Sequence, residues 1–222
     1  MRAARVCGID EAGRGPIAGP VAAAAVILPA SFPLECLDDS KLLTEAQRDD
    51  ASALIRERAV CWALGWATHD EIDRLNILEA ALLAMKRAVD ALAVRPDRLL
   101  VDGRNCPDCG IPAQAIIKGD ATVPEIMAAS ILAKTARDAW MVEYARREPA
   151  YGYERHKGYP TAEHCRRVLR LGPSAIQRRT FRVRDPDAVP SIQNELELRD
   201  PGETRPPRRM PPGKPAGPPG KR

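Results

Sequence analysis

Four carboxylates stand where apolar segments of this chain run out. Asp10 and Glu11 close the stretch ARVCGIDE, Asp102 closes LLVD, and Asp120 follows QAIIKG, just before a long apolar-periodic segment. Gly103 and Gly119 flank the later two. If neighbouring strands bring these ends together, the like charges repel and push each carboxyl toward protonation unless cations sit among them. Hard oxygen donors with no histidine nearby suit Mg²⁺ or Mn²⁺ rather than zinc. Two of the four have a plainer account. Asp120 alone could cap the following helix, and Asp102 alone could shape the turn into Gly103. The adjacent pair Asp10–Glu11 is harder to dismiss, because an apolar strand gains nothing by carrying two charges into its end.

Gly13, Arg14 and Gly15 follow at once. With no Cβ, the two glycines let the chain turn tightly and approach a ligand closely. Arg14 can meet a phosphate. A plain strand turn with an exposed arginine would look the same.

To gather such residues the chain needs strands that end together. Residues 4–9 and 21–28 read as strands apolar enough to be buried on both faces, and they can pair as a hairpin across the Gly- and Pro-rich turn. Residues 60–68, 98–102 and 114–118 read as three more. Ser40 or Thr44 can cap a helix over 45–58, Thr44 and Gln47 having capping-box spacing. Leu75, Leu78, Leu82, Met85, Val89 and Leu92 step by threes and fours and predict one helix over 74–93, ended by Arg95-Pro96. A helix over 122–147 turns Ile126, Ala129, Ala133, Ala136, Trp140 and Tyr144 inward. Another over 161–171 stops at Gly172-Pro173. This order predicts a single α/β domain over 1–185 with a central mixed sheet and a C-terminal helical segment. Residues 186–222 are rich in Pro, Gly and basic residues, too poor in apolar mass to offset ordering entropy, and predict a disordered tail. Such a tail either adds nonspecific affinity for phosphate or is inert.

The 222 residues carry a net charge of +4, which suits a nucleic-acid partner without requiring one. Aromatics make up 4%, so small and aliphatic side chains must fill the core. The start of the chain has no secretory apolar core, and the run VAAAAVIL is too short to span a bilayer, so a cytoplasmic location is expected, with no membrane partner. Six cysteines show no disulfide framework. Cys106 and Cys109 form one CxxC with no second pair to complete a zinc site, and read as thiols of a surface loop.

Six segments then fall in order: GIDEAGRGPIAGPV at 8–21, DDSKLL at 38–43, LLVDG at 99–103, KGD at 118–120, AASILAKTARD at 128–138 and HKGYPTAEH at 156–164. Together they resemble bacterial ribonuclease HII over residues 6–184. The resemblance implies a ribonuclease H-like fold, a central mixed sheet with helices on both sides. It implies an endonuclease acting on RNA–DNA hybrids and on ribonucleotide-containing duplex DNA, in ribonucleotide excision. Cleavage would fall 5′ to the ribonucleotide and leave 5′-phosphate and 3′-hydroxyl ends. The implied cofactors are Mn²⁺ or Mg²⁺, two ions about 4 Å apart serving both sides of an in-line displacement. Asp10, Glu11, Asp102 and Asp120 would be the catalytic metal ligands. Gly13, Arg14 and Gly15 would read the ribonucleotide, its 2′-OH distinguishing RNA from DNA. Tyr159 would pack on the sugar at the DNA side of the junction. Ser40, Lys41 and Lys157 would contact phosphates, or stand as surface charges. Lys134 and Asp138 would support the site, or simply form an i, i+4 ion pair.

Three positions depart from the family pattern: Pro160 for a usual glycine, Glu125 for a usual serine and Gln177 for a usual histidine. A silent hybrid-duplex binder and another nuclease on the same fold are the competing readings. The four intact acids argue against the first, the Gly-Arg-Gly and HKGY segments against the second. A monomer is the expected state.

Overall fold

The computed structural model describes residues 4–37 and 43–188. Ser40, Lys41 and nearly all of the expected tail at 186–222 lie outside the described residues.

Alternation along two neighbouring strands sets the architecture. β1 (Val6–Ala12) pairs antiparallel with β2 (Val21–Ile27), Gly8 opposite Val26 and Asp10 opposite Ala24. Every residue of β2, VAAAAVI, is buried, so this part of the sheet must be covered on both faces. Ile9, Ala23, Ala25 and Ile27 face one core, with Ile72 of α2 (His69–Leu75) and Ala80, Ala84, Met85 and Ala88 of α3 (Ile77–Asp90). Ala24 and Val26 face the other, with Ala51 and Ile55 of α1 (Glu45–Arg58) and Ala128 to Ala133 of α4 (Pro124–Ala145). Strand order is β3-β2-β1-β4-β5, with β3 Cys61–Ala67, β4 Arg98–Asp102 and β5 Ala113–Ile116. The β1–β2 and β2–β3 pairs are antiparallel, and β1–β4 and β4–β5 are parallel, so the sheet is mixed as expected. A short helix, α5 (Tyr153–His156), and α6 (Ala162–Leu171) complete the fold.

Small side chains bring the helices close to the sheet. At Gly8 a Cβ would lie 2.0 Å from the backbone carbonyl carbon of Glu125 at the start of α4. That contact sets how near α4 lies to β1. Thr44 caps α1 with a complete capping box to Gln47.

The helix expected over 74–93 is instead two. Asn76 takes a left-handed φ of 74°, its N–H closing α2 on Ile72 while its side chain accepts from the amides of Leu78 and Glu79 to start α3. Leu75 is left 41% exposed, and the alanines rather than the leucines of α3 face the sheet, since only small residues fit at that separation. In α4 the inward series continues through Arg137, Met141 and Ala145, while Ala136, Trp140 and Tyr144 are only half-buried. Apolar character misled there because the inward position of the fourth turn holds a guanidinium. Cys106 and Cys109 lie on the loop between β4 and β5, half-buried against the α3-side core, and all six cysteines are free thiols.

Gly8→Ala is expected to lower the unfolding free energy by about 1–3 kcal/mol, the usual range for overpacking, because helix backbone rather than a flexible side chain meets the added methyl. Denaturant unfolding measures it; an unchanged midpoint would show that α4 is free to retreat.

Candidate active site

Parallel pairing delivers two of the carboxylates. β1 and β4 run side by side with Ile9 opposite Val101, so Asp10 and Asp102 emerge at the same level. Side chains at 8 and 10 share the face covered by α4, where the Ser130 hydroxyl hydrogen-bonds the Asp10 carboxylate. Asp102 then recruits the third acid. Its Oδ1 accepts from the backbone N–H of Gly119 at 2.8 Å and of Asp120 at 3.3 Å, holding the 3₁₀ turn Gly119–Ala121 against the strand end. One oxygen each from Asp10, Asp102 and Asp120 lies within 4.8 Å of the other two. The capping account of Asp120 is absent: the N-cap of α4 is Val123, with no side-chain cap bond. The Asp102 carboxylate holds the 119–121 turn rather than the turn into Gly103, so that turn and the cluster are one device.

Glu11 stands beside this group rather than in it. It still belongs to β1, opposite Ala23, and its Oε1 accepts from the Arg14 guanidinium at 3.1 Å. Burial pushes the Asp10 carboxyl well above its ordinary range, with the charges of Glu11 and Asp102 adding to the shift and Ser130 opposing it. Glu11 is also raised, by burial first, with Arg14 pulling back. Two unit charges 4.8 Å apart in an effective dielectric of about 20 repel by roughly 3 kcal/mol. The all-oxygen donor set and this repulsion both fit a hard divalent cation.

The three acids open into a cleft of about 490 Å³ that is also lined by Glu11, Gly13, Arg14, Gly15, Arg48, Lys134 and Tyr159. Its rim, the loop 13–20, turns its carbonyls inward onto two buried guanidiniums. Arg178 donates to the carbonyls of Gly13, Arg14, Pro16, Gly19 and Pro20. Arg137 donates to Pro20, Ala18 and Lys157. Burial, and then the neighbouring Arg137 charge, pulls Arg178 down to about 9. Gly13 adopts φ +100°, and a Cβ there would fall 2.0 Å from Arg137 Nε. The bare Cα at Gly13 therefore makes room for an internal side chain, a use distinct from the expected close approach to a ligand. Gly15 would place a Cβ 3.6 Å from the Tyr159 ring across the cleft.

Tyr159 is 38% exposed at the cleft edge, so Pro160 leaves its ring there. Its carbonyl accepts from the Thr161 amide at 2.8 Å and lies 2.9 Å from His164 Nδ1. His164 and His156 stack at 4.2 Å between ring centres. Burial holds both below the ordinary histidine range, His164 at about 4, and their ring nitrogens meet the backbone of Tyr151, Gly158 and Tyr159.

Lys157 does not reach the cleft. Its ammonium donates to the Glu154 carbonyl, and only its own carbonyl joins the network, on Arg137. Lys134 lines the cleft with its Nζ 5.5 Å from the Tyr159 ring centre, and it forms the i, i+4 ion pair with Asp138 at 2.8 Å. Glu125 is not among the cleft-lining residues. The Gln177 side chain donates to the Ile17 carbonyl at 2.8 Å, stitching the loop from below.

Ser130, Arg48, Arg137 and Arg178 were not picked out as site residues from the sequence. Arg137 was findable: it falls in the i, i+4 series 129-133-137-141-145, which marks it as inward. Nothing local marks Arg178, whose partners lie about 160 positions away.

Comparison with known proteins agrees with this geometry. The family model described as Ribonuclease HII matches residues 7–184. A ribonuclease HII of Laribacter hongkongensis is 60% identical over 179 residues, covering 80% of this chain and 90% of the relative. The crystal structure of the ribonuclease H2 of Pyrococcus horikoshii OT3 superposes with a TM-score of 0.66 at 25% identity, covering 81% of this chain and 94% of that one. A Bst-RNase HIII structure in complex with Mn²⁺ shares the fold, with a TM-score of 0.59 at 19% identity, covering 76% of this chain and 63% of that one.

The raised Asp10 and Glu11 carboxyls have a signed consequence. In the ion-free fold they hold protons that the unfolded chain has already lost, so their contribution to stability is full below the ordinary carboxylate range. It is lost as pH rises through the elevated values. In chelator, Asp10→Asn should therefore melt above the wild type at pH 8, by about 2–4 °C per kcal/mol of relief in a domain of this size, with the gap closing toward pH 5. Mn²⁺ should raise the wild-type melt at pH 8 and leave the variant's nearly unchanged. A variant less stable than wild type in chelator at pH 8 contradicts the crowding of charge at Asp10.

Proposed function

This chain belongs to the ribonuclease HII family and is an RNase H endonuclease, and from that premise we propose its substrate, site roles and cofactor. The substrates are the RNA strand of RNA–DNA hybrids and duplex DNA with an embedded ribonucleotide, cut on the 5′ side to leave 5′-phosphate and 3′-hydroxyl ends. The observation that carries this reading is the convergence of Asp10, Asp102 and Asp120 beneath the Gly13–Gly15 backbone and beside Tyr159 in one cleft.

Two ions, Mn²⁺ or Mg²⁺, would be held by Asp10, Asp102 and Asp120 with Glu11 beside them. Once bound they would supply Lewis-acid stabilisation of charge on the attacking and leaving oxygens. Support comes from the oxygen-only donor set and from the Mn²⁺ complex of the structurally related RNase HIII. Ser130 and the Glu11 amide each hydrogen-bond Asp10, and Asp102 is tied to the 119–121 turn, so the ligands are oriented in advance. Outside the acids, Gly13, Arg14 and Gly15 bind the ribonucleotide. The Gly13 and Arg14 carbonyls are occupied internally by Arg178, which supports the amide side being the one offered to a 2′-OH. Arg14, half-exposed beside Glu11, is within reach of a scissile phosphate. Tyr159 packs on the deoxyribose that follows. The catalytic domain spans 1–185, with 186–222 an appended tail, and the protein works as a cytoplasmic monomer. Among the described residues no helix is long and apolar enough to cross a membrane.

A labelled DNA duplex with one ribonucleotide, incubated with Mg²⁺ or Mn²⁺, should be nicked 5′ to that residue, while all-RNA and all-DNA duplexes survive. Asp10→Asn should cut more than about a hundredfold slower, at least the loss that follows from disturbing groups one layer outside a metal site. Equal rates for the variant and the wild type would end the metal assignment.

A further inference from the structure

One buried side chain touches both segments that the proposed reading assigns to substrate. Arg137 is wholly buried on α4. Its Nε donates to the Pro20 carbonyl at 2.9 Å and its Nη2 to Ala18 at 3.3 Å, both in the loop after Gly15. Its Nη1 donates to Lys157 at 3.0 Å, two residues before Tyr159. The stem occupies the place where a Cβ of Gly13 would be, and the guanidinium carbon lies 5.9 Å from the centre of the Tyr159 ring. One backbone hydrogen bond, Ile17 N–H to the Gly158 carbonyl at 2.9 Å, runs parallel to this link.

We propose that Arg137 is a positioning residue that sets the distance between the Gly13–Gly15 backbone and the Tyr159 ring, and so fixes the enzyme's preference for an isolated ribonucleotide within DNA. This rests on the proposed substrate reading. A lone ribonucleotide offers one 2′-OH and one adjoining deoxyribose, so both contacts must be met at a single spacing. A continuous RNA strand offers a 2′-OH in every register and does not depend on the junction contact. Guanidinium is suited to the task because its donors diverge in a rigid plane toward three carbonyls from two segments, and an ammonium on a flexible stem cannot hold that fork. Misplacement by about 1 Å is enough to cost up to a hundredfold in rate.

The test compares wild type and Arg137→Lys, which keeps the charge, on two substrates: a duplex with one ribonucleotide and a continuous RNA–DNA hybrid. In the variant, kcat/KM on the single-ribonucleotide duplex should fall by about tenfold or more relative to kcat/KM on the hybrid. A merely structural role would lower both substrates together with the folded fraction, and an unchanged ratio of kcat/KM between them overturns the inference while leaving the nuclease reading intact. A wild type that fails to cut the single-ribonucleotide duplex overturns that reading and this inference with it. Should Arg137→Lys not fold, amide hydrogen exchange on the wild type decides. The Gly19 and Tyr159 amides should open as one unit, with protection factors within about threefold, whereas a gap of more than about tenfold between them overturns the coupling.

Discussion

Asp10 and Asp102 leave two adjacent parallel strands at the same level, and Asp102 pulls the Asp120 turn in beside them. Three carboxylate oxygens in so small a space, those of Asp10 and Asp120 buried, repel one another, and burial with the charges of Glu11 and Asp102 raises the Asp10 carboxyl. The fold accepts that unfavourable contact because strand pairing leaves the side chains no other place to go. A divalent cation would turn that repulsion into coordination, so the site is shaped by electrostatics rather than by hydrophobic enclosure.

The opposite sign of charge is handled with equal economy of space. Arg137 and Arg178 lie in the interior a short way behind the acids, paired with carbonyls of the loop 13–20 instead of with carboxylates. Buried cations need partners, and backbone carbonyls supply them here without neutralising the acidic cleft. The loop in turn is held by groups its own sequence lacks. Its shape therefore comes from α4 and from the segment around Arg178, and α4 can press against β1 only because Gly8 has no side chain.

Much of this was legible in the sequence, and the misses have physical causes. Strand ends marked by carboxylates and glycines were visible because charge at the end of an apolar run is unfavourable without a purpose. The resemblance to ribonuclease HII then tied the acids to one cleft. The break at Asn76 was hidden because a leucine series passes smoothly across it, while the asparagine caps one helix and closes another. Alanines rather than leucines line the α3 interface, so bulk was the wrong guide to burial. Of the two expectations for Lys157, the structure shows its ammonium on the Glu154 carbonyl, away from the cleft lining. Arg178 was invisible because its partners are distant in sequence and, unlike Arg137, it falls in no helical series that marks it as inward.

The central claim is that burial and the neighbouring charges of Glu11 and Asp102 raise the Asp10 carboxyl, and that a divalent cation relieves this. Calorimetric titration of the ion-free protein with Mn²⁺ at pH 6, repeated in buffers of different ionisation enthalpy, tests it directly. Binding with release of protons, seen as heats that change with the buffer, is the predicted result. Identical heats in every buffer, or no binding at all, would contradict the account.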